Sequence, residues 1–347
     1  MTDWDAAATP ASSMLDAIGR TPLVALPKVA PSGHEVFAKI EWYGPTGSVK
    51  DRIYHWMIER AEQRGALRRG MALLECSTGN AGIACSMVAA VKGYPCTIVM
   101  PQGMSEERKK LIRAFGSDLV LTPGAGSDIE LALARMEEIR AADPEHWFVP
   151  AEFENPDNIE AHRLTSAGEL WEQTGGGEID AIVAAQGTGG WISGVGRHFK
   201  QHRPEVRIYV VEPEECALIS RRVWGTHGIA GIGDGIVPPN LDLSVVDGVV
   251  TVSTDAAVAT AQRLARDEGV LAGTSGGCNV HACMTVAAAH PELRRIATLI
   301  PDTAMRYFST ALFGEHEAID VPVRDHALDE RTVAELDRHA DRLEVLG

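Results

Sequence analysis

The chain has 347 residues, 45% of them hydrophobic, and a formal net charge of −16 with a pI near 5.2. That much apolar material exceeds the core of one small domain and suits two α/β lobes or one large one. The acidic balance argues against nucleic acid or an anionic membrane as partner, since both call for a cationic face, and leaves a small-molecule ligand as the expectation.

The opening residues Met1-Thr2-Asp3-Trp4-Asp5 show neither the basic nor the apolar region of a signal peptide, and no apolar run reaches membrane-spanning length. A cytoplasmic protein is expected. Cys76, Cys85, Cys96, Cys216, Cys278 and Cys283 form no C-x-x-C pair and read as reduced core thiols.

Short apolar runs rich in β-formers alternate with longer amphipathic stretches, which predicts parallel sheets with crossover helices. Strands are predicted at 36–41, 72–75, 96–100, 119–121, 179–184, 208–211, 249–252 and 296–300. After the first comes Gly44-Pro45-Thr46-Gly47-Ser48-Val49-Lys50-Asp51-Arg52, which opens a helix. Ser48 and Asp51 have capping-box spacing, so Ser48 is predicted as the N-cap and Lys50 as the second helical residue. The helix dipole disfavours a cation there. Lys50 is therefore a candidate working amine able to form a Schiff base with a carbonyl; a solvated surface lysine is the alternative.

The strand at 72–75 runs into Glu75-Cys76-Ser77-Thr78-Gly79-Asn80-Ala81-Gly82 and a helix beyond it. Free amides at a helix start attract carboxylates or phosphates, and Ser77, Thr78 and Asn80 supply more donors than one cap needs. Ser105-Glu106-Glu107-Arg108 places acids in a first turn, and Gly116 stands where a C-cap glycine would. Pro150, Asn155-Pro156 and Gly175-Gly176-Gly177 interrupt the middle of the chain. One lobe is accordingly expected at 50–155, the other from 13–49 plus 156–313, and 314–347 as an acidic tail whose Val333, Leu336, Ala340 and Leu343 form the stripe of a docked helix.

Gly187-Thr188-Gly189-Gly190 follows another apolar strand and leads into a helix, where successive glycine amides can nest around an anion or merely allow tight packing. Position 192 is isoleucine, so the G-x-G-x-x-G fingerprint fails, and no G-x-x-x-x-G-K-[ST] is present. Nicotinamide and nucleotide triphosphates are thereby disfavoured. His198 and His202 have H-x-x-x-H spacing, but Phe199 stands where a metalloprotease needs glutamate and no third ligand is evident, so no metal site is expected.

In this order the pieces resemble the cysteine synthase and cystathionine β-synthase family, the fold type II pyridoxal phosphate enzymes. The likeness runs from Gly19 to Phe313. Its further markers are Gly19-Arg20-Thr21-Pro22-Leu23, Phe153-Glu154-Asn155-Pro156, Gly231-Ile232-Gly233, Gly273-Thr274-Ser275-Gly276 and Pro301-Asp302-Thr303 with Arg306-Tyr307. The resemblance implies two doubly wound, tryptophan synthase β-like lobes with mainly parallel sheets, the cofactor pyridoxal 5'-phosphate in the cleft between them, closure of the smaller lobe over substrate, and a homodimer. It implies that Lys50 is the Schiff-base lysine and proton carrier and that Asn80 bonds the cofactor's ring oxygen. Gly187, Thr188, Gly189 and Gly190 would cradle the phosphate, while Ser275 faces the pyridine nitrogen and Thr303 lies along the ring edge. Ser77, Thr78, Gly79 and Ala81 would grip the amino acid, with Glu152 and Gly231 beside it. A neutral hydroxyl at Ser275 makes the ring a weaker electron sink than an aspartate would, which favours β-elimination and β-replacement over transamination.

Five positions depart from the family pattern. Ala81 replaces a threonine, Glu152 a glutamine, Trp191 a threonine that touches phosphate, and Ala304-Met305 a glycine and glutamate. An ionised Glu152 would repel a substrate carboxylate by ~1 kcal/mol even in water, so it is expected to be protonated, turned away, or paired with a cation, and it is a candidate to meet an amino group. Arg221 and Arg222 read as solvated arginines, and Asp234 lies near the cleft without a defined role. The leading expectation is β-replacement on O-acetylserine or O-phosphoserine by sulfide. Alternatives are synthesis of another β-substituted alanine from an amine or larger thiol, β-elimination, and an inactive cofactor-bound scaffold or sensor. Ser48-Val49-Lys50-Asp51-Arg52-Ile53 differs from the Ser-Phe-Lys-x-Arg-Gly of the deaminases, which counts against deamination.

Overall fold

The structure, a computed structural model, describes residues 10–124, 129–308 and 312. These belong to one compact unit, residues 1–313; the tail expected as a docked helix lies outside the described residues.

The alternation of apolar runs and amphipathic stretches resolves into two sheets. The larger has the order β1 (Leu23–Ala25), β2 (Glu35–Ile40), β10 (Arg295–Ile300), β7 (Ala181–Ala185), β8 (Arg207–Pro213) and β9 (Gly248–Val252). All neighbours run parallel except the edge strand β1, antiparallel to β2. The smaller is fully parallel, in the order β5 (Asp118–Thr122), β4 (Cys96–Pro101), β3 (Ala72–Cys76) and β6 (Trp147–Phe148). All eight expected strands are present to within a residue or two at each end. The additions, β1 and β6, are three and two residues long, too short for a period-two pattern to register.

Both sheets are covered on both faces, as parallel sheets require. In β7, Ala181 and Val183 enter a core with Cys278, Val280 and Val286 of α9 (Thr274–Ala289). Between them, Ile182 and Ala184 point the other way, toward Ile192, Val195 and Phe199 of α7 (Gly190–His202). In the small sheet Leu73 and Ile98 pack on Ile53 and Met57 of α1 (Lys50–Gln63) and Ile83 of α2 (Asn80–Lys92), while Leu74 and Val99 face Ala132 and Met136 of α4 (Ile129–Ala142). This alternation is the period of two expected of a pleated strand. The remaining helices are α3 (Glu106–Ala114), α5 (Asp157–Ala161), α6 (Ala167–Gln173) and α8 (Thr254–Arg263), with a π turn, His162–Ser166, joining α5 to α6.

The helix entry at Lys50 differs from the capping box expected. Lys50 is the first helical residue, Val49 occupies the cap without a side-chain bond, and Ser48 instead pairs with Asp302 in a two-residue antiparallel bridge. Asp51 reaches back past Ser48 to the amide and hydroxyl of Thr46. Burial raises the Asp51 carboxyl to about 6 against those two bonds. A buried acid takes whatever donors its loop presents, and Thr46 lies nearer than Ser48. His198 and His202 pack with Trp171, at ring-centroid distances of 5.7 and 5.5 Å. The cysteines are buried thiols, with 3.9 Å between the Sγ atoms of Cys85 and Cys96. Among the described residues no helix is long and apolar enough to cross a membrane.

Candidate active site

Each turn singled out in the sequence leaves the carboxyl end of a strand: Ser77–Asn80 after β3, Gly187–Gly190 after β7, and Pro301–Thr303 after β10. Open parallel sheets collect ligands at such ends. Val49 donates its backbone N–H to Pro301 O (2.8 Å), Ser48 bridges Asp302, Ala272 bridges Thr303, and Gly273 N donates to Asp302 O (3.2 Å). Pro301–Thr303 is thus the spine that holds the start of α1, with Lys50, beside the start of α9, with Ser275.

Lys50 Nζ donates to Glu152 Oε2 at 2.6 Å, in an ion pair whose side chains are 19% and 6% exposed. Of the three states open to Glu152, the structure adopts pairing with a cation. Ala151, just before it, has φ +54, a costly left-handed conformation for a residue with a Cβ. The carbonyl of Glu152 is pinned from two sides, by Asn158 Nδ2 (2.8 Å) and Asn240 Nδ2 (2.9 Å). Behind the pair lies a second buried acid, Glu75, which accepts from Tyr54 Oη (2.9 Å). Burial first, then the charge of Glu152, pushes Glu75 up to about 8, so at neutral pH it is mainly the neutral acid.

The Gly187–Gly190 turn opens α7 and touches the same assembly. Asn158 Nδ2 also donates to Thr188 Oγ1 (3.0 Å), which links the turn to Glu152. Gly189 has φ +80, and a Cβ there would lie 2.6 Å from Leu241 N; a Cβ on Gly187 would lie 2.5 Å from the Gly231 carbonyl. Neither position admits a side chain, and within the turn Gly190 N donates to Thr188 Oγ1 (3.4 Å). Gly233 N donates to Gln186 O (3.3 Å) and His227 Nε2 contacts Gly233 O (3.0 Å), which seats the Gly231–Gly233 loop over the turn. Asp234 in that loop is accessible yet surrounded by protein, as on a cleft wall; desolvation raises its carboxyl, opposed by the charges of Lys50 and His227.

Asn80 opens α2 and is held between Asp302 Oδ2 (2.7 Å) and the Arg306 guanidinium, while Tyr307 Oη donates to the same carboxylate (2.6 Å). Ser77 Oγ accepts from Gly79 N (3.0 Å) and Gly82 N (2.8 Å), which leaves it as a cap. Thr78 O accepts from Arg108 Nη1 (3.3 Å), and Arg108 Nε would meet a Cβ on Gly79 at 2.9 Å. Ala81 is packed into the small-sheet core. Thr303 Oγ1 accepts from Met305 N (3.3 Å), and Ser275 is buried in the first turn of α9. Lys50 bonds Glu152, which Asn158 joins to Thr188, while Asn80 bonds Asp302 of the spine that also holds the starts of α1 and α9. Ser77, Thr78, Gly79 and Ala81 join through Asn80 and through Arg108, whose guanidinium lies 5.4 Å from the Tyr307 ring centroid. Arg221 is outside the assembly, paired with Glu214 at 3.2 Å on the surface.

Several buried polar atoms around these turns have no protein partner: Ser48 Oγ, both amide atoms of Gln186, Trp191 Nε1, Asn158 Oδ1 and Asp302 Oδ1. Each such atom costs on the order of 1–3 kcal/mol if left unmet, and those on and beside the glycine turn are what a polar ligand would satisfy. An amine, a glycine turn at a helix start and unmet polar atoms beside it fit a phosphorylated aldehyde. Sequence reading missed Asn158, Gln186 and Arg108. Gln186 had a signal, standing just before the glycine turn. Arg108 had none, because it lies on an ordinary amphipathic helix and reaches the Ser77 loop only in three dimensions.

The family model described as pyridoxal-phosphate dependent enzyme matches residues 14–302. The O-ureido-L-serine synthase of Streptomyces lavendulae is 42% identical over 303 residues, covering 87% of this chain and 92% of that protein. A cysteine synthase of Staphylococcus aureus is 39% identical over 306 residues, covering 88% and 97%. Among solved structures, the cysteine synthase of Entamoeba histolytica superposes with a TM-score of 0.85 at 32% identity over 99% of both chains.

Proposed function

Since the chain belongs to the cysteine synthase family of fold type II pyridoxal phosphate enzymes, we propose that this β-substituting enzyme acts on an activated L-serine, O-acetylserine or O-phosphoserine, and exchanges its β-substituent for a small nucleophile. The observation that carries the reading is that the start of α1, with the Lys50 amine, and the start of α9 share one spine, Pro301–Thr303, while the 187–190 turn is tied through Asn158 to Glu152, the partner of Lys50. Pyridoxal phosphate, when bound, supplies the electron sink for chemistry at the substrate's α-carbon. Gly187–Gly190 would hold its phosphate, Asn80, Ser275 and Thr303 its ring, and Lys50 its aldehyde carbon. Lys50, released as substrate binds, takes the α-proton and later returns it to the same carbon. Ser275 presents a hydroxyl where an acid would favour transamination, and so keeps the outcome at the β-carbon.

The amino acid's carboxylate would sit on the amides at the start of α2 beside Ser77 and Thr78, with the Arg108 guanidinium making up for the hydroxyl that Ala81 lacks. Closure of the smaller lobe, 50–155, would exclude water from the β-carbon, and the working form is proposed to be a homodimer. Sulfide is one nucleophile this site would serve. The Lys50–Glu152 pair and the resemblance to an O-ureido-L-serine synthase favour a second reading, another β-substituted alanine. The test is acetate release from O-acetyl-L-serine, or phosphate release from O-phosphoserine, by the cofactor-loaded protein. Release that depends on Lys50 supports the reading, and absence of release from both substrates with every nucleophile contradicts it.

A further inference from the structure

Some buried acids elsewhere in this chain have permanent cations, whereas Glu75 and Asp51 are met by the neutral donors Tyr54 and Thr46. Glu41 and Glu169 share Arg52, Lys39 also pairs with Glu169, and Asp157 has Arg64. Glu152 differs: among the described residues its side chain has one partner, and that partner is Lys50, the amine the chemistry needs elsewhere. Whenever Lys50 is engaged, a carboxylate only 6% exposed is left beside it without that cation. The strained backbone at Ala151 and the two amide bonds on the Glu152 carbonyl keep it there. Such a group is not tolerated as a bystander, because a desolvated charge needs either a cation or a proton.

Resting on the β-replacement reading, we propose that Glu152 is the base for the incoming nucleophile, and that this nucleophile is a neutral or cationic N–H or O–H compound that arrives with its proton, in preference to hydrosulfide. The β-carbon is one bond from the α-carbon that Lys50 serves, so an oxygen 2.6 Å from that amine reaches the space beside both. Hydrosulfide is already an anion near neutral pH: it has no use for a base and is repelled by a carboxylate, the more strongly the lower the local dielectric. An amine or N-hydroxy compound gains on both counts. Its N–H or O–H bond breaks, the proton passes to Glu152 Oε2, and the freed lone pair forms the bond to the β-carbon, which acetate has already left with the C–O electron pair. Lys50 returns the α-proton, and Glu152 gives its proton to solvent on product release. Two proton carriers thus divide two protons, Lys50 the one on carbon and Glu152 the one on the nucleophile.

The experiment is a competition. Cofactor-loaded wild type, Glu152→Gln and Glu152→Asp are given O-acetyl-L-serine with equimolar sulfide, methylammonium and hydroxyurea, and products are counted against acetate released. Bound-cofactor absorbance serves as the check on folding. Wild type should favour a nitrogen-bearing nucleophile over sulfide, Glu152→Gln should lower that preference about 100-fold, the scale of a lost general base, and Glu152→Asp should recover part of it. A wild type that prefers sulfide, or a preference unmoved by Glu152→Gln in protein that still releases acetate, overturns the proposal while leaving β-replacement intact. No acetate release at all overturns the reading beneath it.

Discussion

Asn158 ties two parts of the site together: one amide group donates to the Glu152 carbonyl and to Thr188 Oγ1. Replacing it by alanine leaves both acceptors unmet, and the expected loss is about 1–3 kcal/mol of stability with weaker cofactor binding, measured by denaturant midpoint and cofactor titration. Gly189→Ala combines φ +80 with a backbone atom at 2.6 Å; it should cost more than 1 kcal/mol and lower cofactor affinity, since only backbone movement makes room. Wild-type affinity in either variant would contradict the cradle. At this scale the sequence was legible where chemistry is local. Lys50, Asn80 and the glycine turn lie in compact motifs that name themselves. The partner of Glu152 lies 102 residues away, and no spacing rule spans that distance.

The element that carries Lys50 also carries Arg52, and the two face different tasks. Arg52 is the centre of a buried network in which its guanidinium holds Glu41 (2.8 Å) and Glu169 (2.6 Å), while Lys39 bonds Glu169 (2.8 Å). The network anchors the first turn of α1 to β2 and α6. Burial would push Glu169 up, but Arg52 and Lys39 hold it down at about 2. Because the folded value lies below the unfolded 4.5, its contribution is present above that pH and is lost as pH falls through about 2. Glu75 runs the other way: raised from 4.5 to about 8, it contributes below 4.5 and loses that contribution as pH rises through 8. Glu75→Gln should therefore flatten the fall of stability between those two pH values, read from unfolding midpoints across the range; an unchanged slope would contradict the assignment. Arg52→Met should cost about 3–5 kcal/mol, as loss of one partner from a buried ion pair does, seen in the denaturant midpoint. No sequence signal marks this network, because its members alternate with ordinary core residues. The helix start at Lys50 was legible to within one residue, yet its cap was misread, since capping rules assume a solvated turn and this one is stitched to Pro301–Thr303.

A mainly parallel sheet and a fully parallel one meet at a site to which both contribute strand ends, and the larger sheet supplies most of the anchors. The eight strands of four or more residues were readable because apolar runs flanked by glycine and proline survive any tertiary context. The short edge strands β1 and β6 exist only by pairing with neighbours already in place. A ligand bound where the sheets meet stabilises the whole fold by mass action. Pyridoxal phosphate at 100 times its dissociation constant should add about 2.7 kcal/mol, visible as a rise in the unfolding temperature that Lys50→Ala reduces. The most direct test of the account is to reduce the cofactor-loaded protein with borohydride, digest it, and find by mass spectrometry which lysine carries the pyridoxyl group. The account requires it on Lys50, in the peptide that begins α1; a label on another lysine, or none, would contradict it.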